Sequence, residues 1–250
     1  MDDLALALQL ADLADEITLR LFRSERLATW TKPDLTPVTE ADRAVEEALR
    51  ERLAQERPGE GVLGEEFGAQ GGEGARWIID PIDGTKNYLR GVPVYATLIA
   101  REDDGHQTVA VCSAPAMGRR WWAVRGGGAF ADGRRLRVSR VAELGEAFLC
   151  YGSLTGWEEH GGGERFLDLV RRCWRTRGFG DFWIHLLVAE GAADLAVEPE
   201  VSIWDLAAVK LIVEEAGGRF TDLAGVATAD GGSAVCSNGL LHDQALAALR

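Results

Sequence analysis

Residues 77–88 read Trp-Ile-Ile-Asp-Pro-Ile-Asp-Gly-Thr-Lys-Asn-Tyr, an apolar run that ends on two carboxylates, Asp80 and Asp83. Pro81 directly follows the first acid and Gly84 the second, and the proline stiffens the backbone that carries them. Hard cations such as Mg²⁺ take oxygen ligands in near-octahedral geometry, and two acids on a stiff turn can supply some of them. The Gly84-Thr85 step then offers backbone N–H groups and a hydroxyl to an anion. Cation ligands beside a phosphate cradle point to metal-assisted phosphoryl chemistry. Asp-Pro and Asp-Gly are also ordinary turn formers, so the segment alone leaves a purely structural reading open.

The elements that must position these groups can be read from periodicity. Leu4, Leu8, Ala11, Ala14, Ile17 and Leu21 share one face of a helix over residues 4–22. Pro33 and Pro37 punctuate an extended loop or hairpin from Thr29 to Val38. A second helix runs from about Thr39 to Arg57, with Val45, Leu49 and Leu53 on one face, and Pro58-Gly59 stops it. Thr39 fits its N-cap, which makes Asp42 a first-turn charge. Val62-Leu63 is a short strand, and the Gly-rich residues 69–75 read as a surface loop. Strands follow at about 94–101, 108–113, 121–125 and 136–138, with turns at Gly126-Gly127-Gly128 and Asp132-Gly133.

From about residue 140 strands and helices alternate. Strands are expected at 148–151, 195–197, 219–221 and 233–236. Helices are expected at 164–174, 182–192, 203–216 and 241–249, the third stopping at Gly217-Gly218. Ser202 and Asp205 fit a capping box at the start of helix 203–216. The pattern predicts an α/β (mixed α+β) chain in two parts. Residues 1–140 carry a helix pair on an antiparallel sheet; residues 141–250 carry a mixed or parallel sheet with helices.

Composition narrows the functions. The chain has 250 residues, 46% of them hydrophobic, and a net charge of −13, which argues against a nucleic-acid partner. No apolar run approaches the roughly 18 residues of a membrane span, and Asp2 and Asp3 are the wrong charge for a signal peptide. A cytoplasmic protein without membrane contact is expected. Cys112, Cys150, Cys173 and Cys236 are far apart, with no C-x-x-C pair, and read as reduced thiols. His106, His160, His185 and His242 share no ligand spacing and receive no catalytic role. His185 reads as a core or face residue of its helix.

Asp80-Pro81-Ile82-Asp83-Gly84-Thr85 resembles the signature of the inositol monophosphatase superfamily of Mg²⁺-dependent phosphomonoesterases. Gly64-Glu65-Glu66, Thr39-Glu40-Ala41-Asp42 and Trp204-Asp205 with Glu215-Ala216-Gly217-Gly218 resemble its companion motifs, in family order. Arg175 to Trp183 and Tyr151 to Trp157 look like the bacterial histidinol-phosphatase branch. The resemblance implies a layered α-β-α-β-α sandwich and hydrolysis of L-histidinol phosphate in histidine biosynthesis. Inositol 1-phosphate, another sugar phosphate or a nucleotide monophosphate is the alternative substrate. A metal-binding scaffold that has lost catalysis is the reading from another class.

Carried onto this chain, the resemblance makes Glu65, Asp80, the Ile82 carbonyl, Asp83 and Asp205 ligands of two or three Mg²⁺, with Mn²⁺ as a substitute. Asp42 and Thr85, beside Glu65, would orient and deprotonate the attacking water. Asp83, Gly84 and Thr85 would bind phosphate; Lys86, next to them, could screen charge or be a solvated surface residue, and Lys32 is given no definite role. Arg175, Gly178, Asp181 and Glu198 would line the substrate pocket. Two acids, Asp181 and Glu198, suit the ammonium and imidazole of histidinol phosphate better than a neutral polyol; Asp181 could instead cap helix 182–192. The resemblance also implies a homodimer. The aromatic segments at Trp121-Trp122 and Trp157 would serve its interface or the core.

Overall fold

A computed structural model describes residues 1–24, 27–31, 37–72 and 74–250. Helix α1 (Asp3–Leu21) starts where the Asp2 side chain accepts the Ala5 N–H, and it buries Leu6, Leu10, Ala14 and Ile17. Strands β1 (Thr29–Thr31) and β2 (Pro37–Thr39) pair antiparallel as the expected hairpin. Lys32 and Pro33 lie outside the described residues. Helix α2 (Glu40–Glu56) is capped by Thr39 and buries Val45, Leu49 and Leu53.

Strands β3 (Gly61–Gly64), β4 (Gly68–Gln70) and β5 (Arg76–Asp83) precede a short helix α3 (Thr85–Leu89). Strands β6 (Ala96–Asp103), β7 (His106–Ala114), β8 (Arg119–Val124), β9 (Gly128–Ala131) and β10 (Arg134–Arg135) follow. They form one eight-stranded sheet in the order β10-β9-β8-β7-β6-β5-β3-β4. Neighbours are antiparallel except β3 and β5. Three expectations need correction. The Gly-rich segment begins as the edge strand β4 rather than as loop. The strand expected at 136–138 lies earlier, as β9 and β10. Gly128 already belongs to β9, where Phe130 pairs with Trp122 and stacks on it at 4.4 Å. Strand β5 carries the apolar run on through both carboxylates.

Alternation along the sheet sends Trp77, Ile79, Ile99, Val109 and Val111 against α1 and α2. Ile78, Leu98, Ala100, Ala110 and Cys112 face the other way, into the largest core.

The second half contains β11 (Phe148–Tyr151), α4 (Leu154–Glu159), α5 (Gly163–Arg172), β12 (Arg175–Arg177), α6 (Asp181–Ala189), β13 (Leu195–Glu198), α7 (Ile203–Glu215), β14 (Arg219–Thr221), β15 (Ala234–Ser237) and α8 (His242–Leu249). Their sheet has the order β12-β11-β13-β15-β14. The first three strands are mutually parallel and β15 runs antiparallel to both its neighbours, β13 and β14, hence mixed, as expected. Helix α4 and strand β12 were not foreseen.

Helix α7 is apolar on nearly every face, which marks a helix buried all round. It lies with α6 between the two sheets, packing on Ile78 and Cys112 of one and Cys150 and Cys236 of the other. Helices α4, α5 and α8 cover the outer face of the second sheet. The result is the layered α-β-α-β-α sandwich. Trp121 and Trp157 are both core residues; Trp157 stacks on Phe166. Among the described residues, no helix is long and apolar enough to cross a membrane.

Candidate active site

The cation-ligand candidates converge because β5 carries a bulge. In a regular strand, residues three apart face opposite ways. Here Asp80 pairs with Leu98 and Asp83 with Ala96, so the register slips between them. Three steps on β5 answer two on β6. Pro81 has no N–H to give the ladder, so the slip falls where a ladder bond is missing anyway. Both carboxylates therefore end on the face that carries Leu98 and Ala96, toward α6 and α7.

Asp205 reaches the same place from the first turn of α7, where Ser202 N–H donates to its Oδ2 at 2.7 Å. Oxygens of Asp80, Asp83 and Asp205 lie within 4.8 Å of one another. Glu65 directly follows β3, with its N–H on the Ile79 carbonyl at 3.2 Å.

The electrostatics of this cluster are unfavourable as the chain alone presents them. Burial, then Glu65, Asp83 and Asp205, push Asp80 well above the ordinary carboxylate range. Burial, then Asp181 and Asp205, do the same to Asp83, with the Phe182 N–H opposing. Burial pushes Asp205 up to about 7 against the Ser202 N–H. Among the described residues, none of the three is ion-paired to Lys or Arg. Asp80 Oδ1 is buried without a hydrogen-bond partner, a rare condition that needs an explanation. A hard cation supplies one: the donor set is all oxygen, negatively charged and convergent. Asp80, Asp83, Asp205 and Glu65 fit such an ion. The Ile82 carbonyl lies on the same bulge.

Asp42 and Thr85 meet across 43 positions of sequence, with Thr85 Oγ1 at 3.2 Å from Asp42 Oδ1 and 3.0 Å from the Ile82 carbonyl. The single hydroxyl proton is shared between these two acceptors. Asp42 also completes the capping box, accepting the Thr39 N–H at 2.7 Å and the Thr39 hydroxyl at 2.5 Å. The capping and Thr85 contacts use different oxygens, so both hold at once. Burial raises Asp42 to about 6, opposed by the Thr39 bonds and assisted by Glu65.

A cavity of about 310 Å³ opens between the halves, lined by Glu65, Asp83, Thr85, Asp181, Glu198 and Asp205 among others. Gly84 sits in its wall at φ +84°, and a Cβ there would come within 3.0 Å of the Val94 carbonyl and 3.4 Å of Asp181 Oδ2. Both constraints favour glycine. Asp181 stands opposite, at φ +54°. It does not cap α6. The N-cap is Gly180, and Asp181 Oδ2 instead accepts from Asn87 Nδ2 at 3.0 Å. The Phe182 N–H of α6 is taken by Asp83 at 2.5 Å, so the signature segment caps the helix from 99 positions away. Burial, then Glu198, raises Asp181 to about 7, with Lys86 opposing.

The remaining expectations divide. Glu198, at the C-terminal end of β13, lines the cavity. Gly178 lies against the Tyr151 ring, where a Cβ would come within 2.9 Å. Arg175 is a correction: it is exposed, over the Phe148 ring, and not on the cavity wall. The reason is register. Arg175 pairs with Phe148 at the start of the parallel strand β11, whereas the cavity lies past the C-terminal ends of β11 and β13, about 10 Å further along. His185 was missed. It lines the cavity with its Nε2 2.9 Å from Glu198 Oε2, a meeting of helix and strand that no local pattern encodes.

Residues 2–250 match the model of the inositol monophosphatase family. The chain is 59% identical over 254 residues to a histidinol-phosphatase of Mycobacterium tuberculosis, covering 99% of this chain and 98% of that one. It is 54% identical over 255 residues to a histidinol-phosphatase of Streptomyces coelicolor, covering 98% and 96%. A solved Thermotoga maritima IMPase superposes with a TM-score of 0.89 at 31% identity, covering 100% of this chain and 97% of that one.

Proposed function

The chain belongs to the inositol monophosphatase family, and from that premise we propose that it is a histidinol-phosphatase. It hydrolyses L-histidinol phosphate to L-histidinol and phosphate in histidine biosynthesis. The observation that carries the mechanism is one cavity lined by Asp83 and Asp205, with Asp80 clustered behind them, and also by Asp181 and Glu198.

In this reading Glu65, Asp80, Asp83, Asp205 and the Ile82 carbonyl hold Mg²⁺, two or three ions per site, with Mn²⁺ able to substitute. Bound there, the metal supplies Lewis-acid charge that binds phosphate, acidifies water and stabilises the leaving oxygen. Gly84 and Thr85 seat the phosphate together with Asp83. Asp42, held by Thr39 and raised to about 6, takes the proton of the attacking water through Thr85 Oγ. Water attacks phosphorus in line, and no side chain is placed as a nucleophile, so no covalent phosphoenzyme forms. Asp181 and Glu198 receive the amino-alcohol part of the substrate, with Gly178 beside it. Residues 1–140 supply all the metal ligands but Asp205, and residues 141–250 supply the specificity wall. The working form is a cytoplasmic homodimer, checked by light scattering.

The test is phosphate release with Mg²⁺ from histidinol phosphate, inositol 1-phosphate, fructose 1,6-bisphosphate and adenosine 3′,5′-bisphosphate. A kcat/KM for histidinol phosphate at least about tenfold above the others is expected. Preference for inositol phosphate would move the assignment to the alternative substrate.

A further inference from the structure

His185 is 1% exposed, yet it forms part of the cavity wall beside Asp181 and Glu198. A carboxylate oxygen only accepts, so the hydrogen of the 2.9 Å contact with Glu198 Oε2 lies on Nε2. The tautomer with its hydrogen on Nε2 leaves a lone pair at Nδ1. That atom is buried and has no partner among the described residues. Glu198 in turn has no other side-chain hydrogen bond among the described residues. Its second oxygen faces Gly152, where a Cβ would come within 2.7 Å. Asp181, across the wall, has one oxygen on Asn87. The wall is thus rich in acceptors and doubly acidic. It matches a ligand that only donates and carries positive charge, as an ammonium does. A hydroxyl brings one donor and leaves the like charges of Asp181 and Glu198 facing each other.

We infer that His185 is a positioning residue that sets specificity: it locks Glu198 against the cavity so that this wall selects a substrate carrying a protonated primary amine over one that lacks it. The inference rests on the phosphomonoesterase reading of the site. The competing role is packing alone, since the ring also lies 5.6 Å from that of Phe220. His185→Phe separates the two, because it keeps an aromatic ring and removes the donor to Glu198.

The experiment measures kcat and KM for histidinol phosphate and for imidazolylpropyl phosphate, its counterpart without the amino group. It uses the Mg²⁺-loaded enzyme, His185→Phe and His185→Gln, with melting temperatures alongside. His185→Phe should lower the kcat/KM ratio of amine to des-amino substrate about tenfold, chiefly through KM. His185→Gln, which retains an N–H donor, should recover part of the ratio. An equal effect of His185→Phe on both substrates overturns the inference and leaves His185 a core residue. Should His185→Phe fail to fold, Glu198→Gln must lower the same ratio; an unchanged ratio there is equally fatal. A wild-type enzyme that hydrolyses neither compound sinks the function itself, a separate outcome.

Discussion

Two groups of buried carboxylates flank β3 and β5 and are held in opposite ways. Glu46, on α2, is wholly buried and fully answered. It accepts from Arg50 Nε at 2.8 Å, from Glu66 N–H at 2.7 Å and from Phe67 N–H at 3.2 Å. Gly64 makes the approach possible, since a Cβ there would fall 2.1 Å from Glu46 Oε1. On the far side of the sheet, Asp80, Asp83 and Asp205 crowd together with no such cation bonded among the described residues. Burying a carboxylate is unfavourable unless a counter-charge comes with it. At Glu46 the counter-charge is covalently part of the chain, and the group serves stability. At the cleft it must come from solution, and the same physical problem becomes a binding site.

Exchanging the charges tests this contrast most severely. Asp83→Asn keeps an oxygen for the Phe182 N–H and removes one charge from the cluster. It should lower kcat/KM by about 10³-fold or more. It should also raise the melting temperature of EDTA-treated protein, because repulsion is relieved. A lower melting temperature than wild type in EDTA would mean that the cluster is not repulsive without metal. Glu46→Ala should do the reverse, costing about 3 kcal/mol of stability in urea titrations, as expected when half of a buried ion pair is removed. That loss should be equal with EDTA and with Mg²⁺. If Mg²⁺ restored it, Glu46 would belong to the site and the contrast would collapse.

The two regions also differ in how far they can be read from sequence. The helical stripes of α1 and α2 and the strand pattern of the second half are periodic, and periodicity is local. Asp80 and Asp83 were visible as acids on stiff backbone. That they share a face depends on a one-residue slip against β6, and only the pairing partners reveal it. Asn87 with Asp181, and Asp83 with the Phe182 N–H, are contacts across 94 and 99 positions that leave no mark in composition or spacing. Arg175 shows the opposite failure. Its position in a resembling segment suggested the pocket, but a parallel register puts it at the wrong end of its strand. Strand ends and registers are tertiary quantities, set by packing rather than by propensity.

Asp42 stands between the two regimes, buried like Glu46 but facing the cleft. With a bound cation holding the cluster carboxylates ionised, Asp42, raised to about 6, and Asp181, raised to about 7, would be the groups left to titrate near neutrality, and Asp42 is the one bonded to Thr85. Activity should therefore fall as pH drops through about 6. Asp42→Asn should lower kcat about 10²-fold and abolish that acid limb, whereas a structural role alone would leave the limb in place. A pH–rate profile of the variant against wild type reads this directly.

The smallest effect sharpens the comparison from outside the cleft. His242 is buried with every hydrogen assigned by its neighbours. The Thr221 hydroxyl donates to the Asp222 carbonyl at 2.8 Å, so His242 Nε2–H donates to Thr221 Oγ1 at 3.0 Å. Gly239 N–H donates to Ser237 Oγ, whose own hydrogen goes to His242 Nδ1 at 2.8 Å. A second ring proton would meet a hydroxyl hydrogen already pointing at it. Burial, then Arg219, lowers the imidazole from 6.5 to about 4. Between those values the unfolded chain holds a proton that the native chain refuses, so this group makes stability fall as pH falls. The metal-free acid cluster does the opposite. Asp205, raised to about 7, binds its proton in the native state first, and stability there rises as pH falls. Allowing for solvent screening, the His242 contribution is about 1 kcal/mol between pH 7 and pH 5. Urea midpoints of wild type and His242→Gln at both pH values, in EDTA and in Mg²⁺, isolate it as a difference that the metal should not alter. A His242 term that changed sign or size with Mg²⁺ would show that the cleft and the outer layer titrate as one unit, against the division drawn between them.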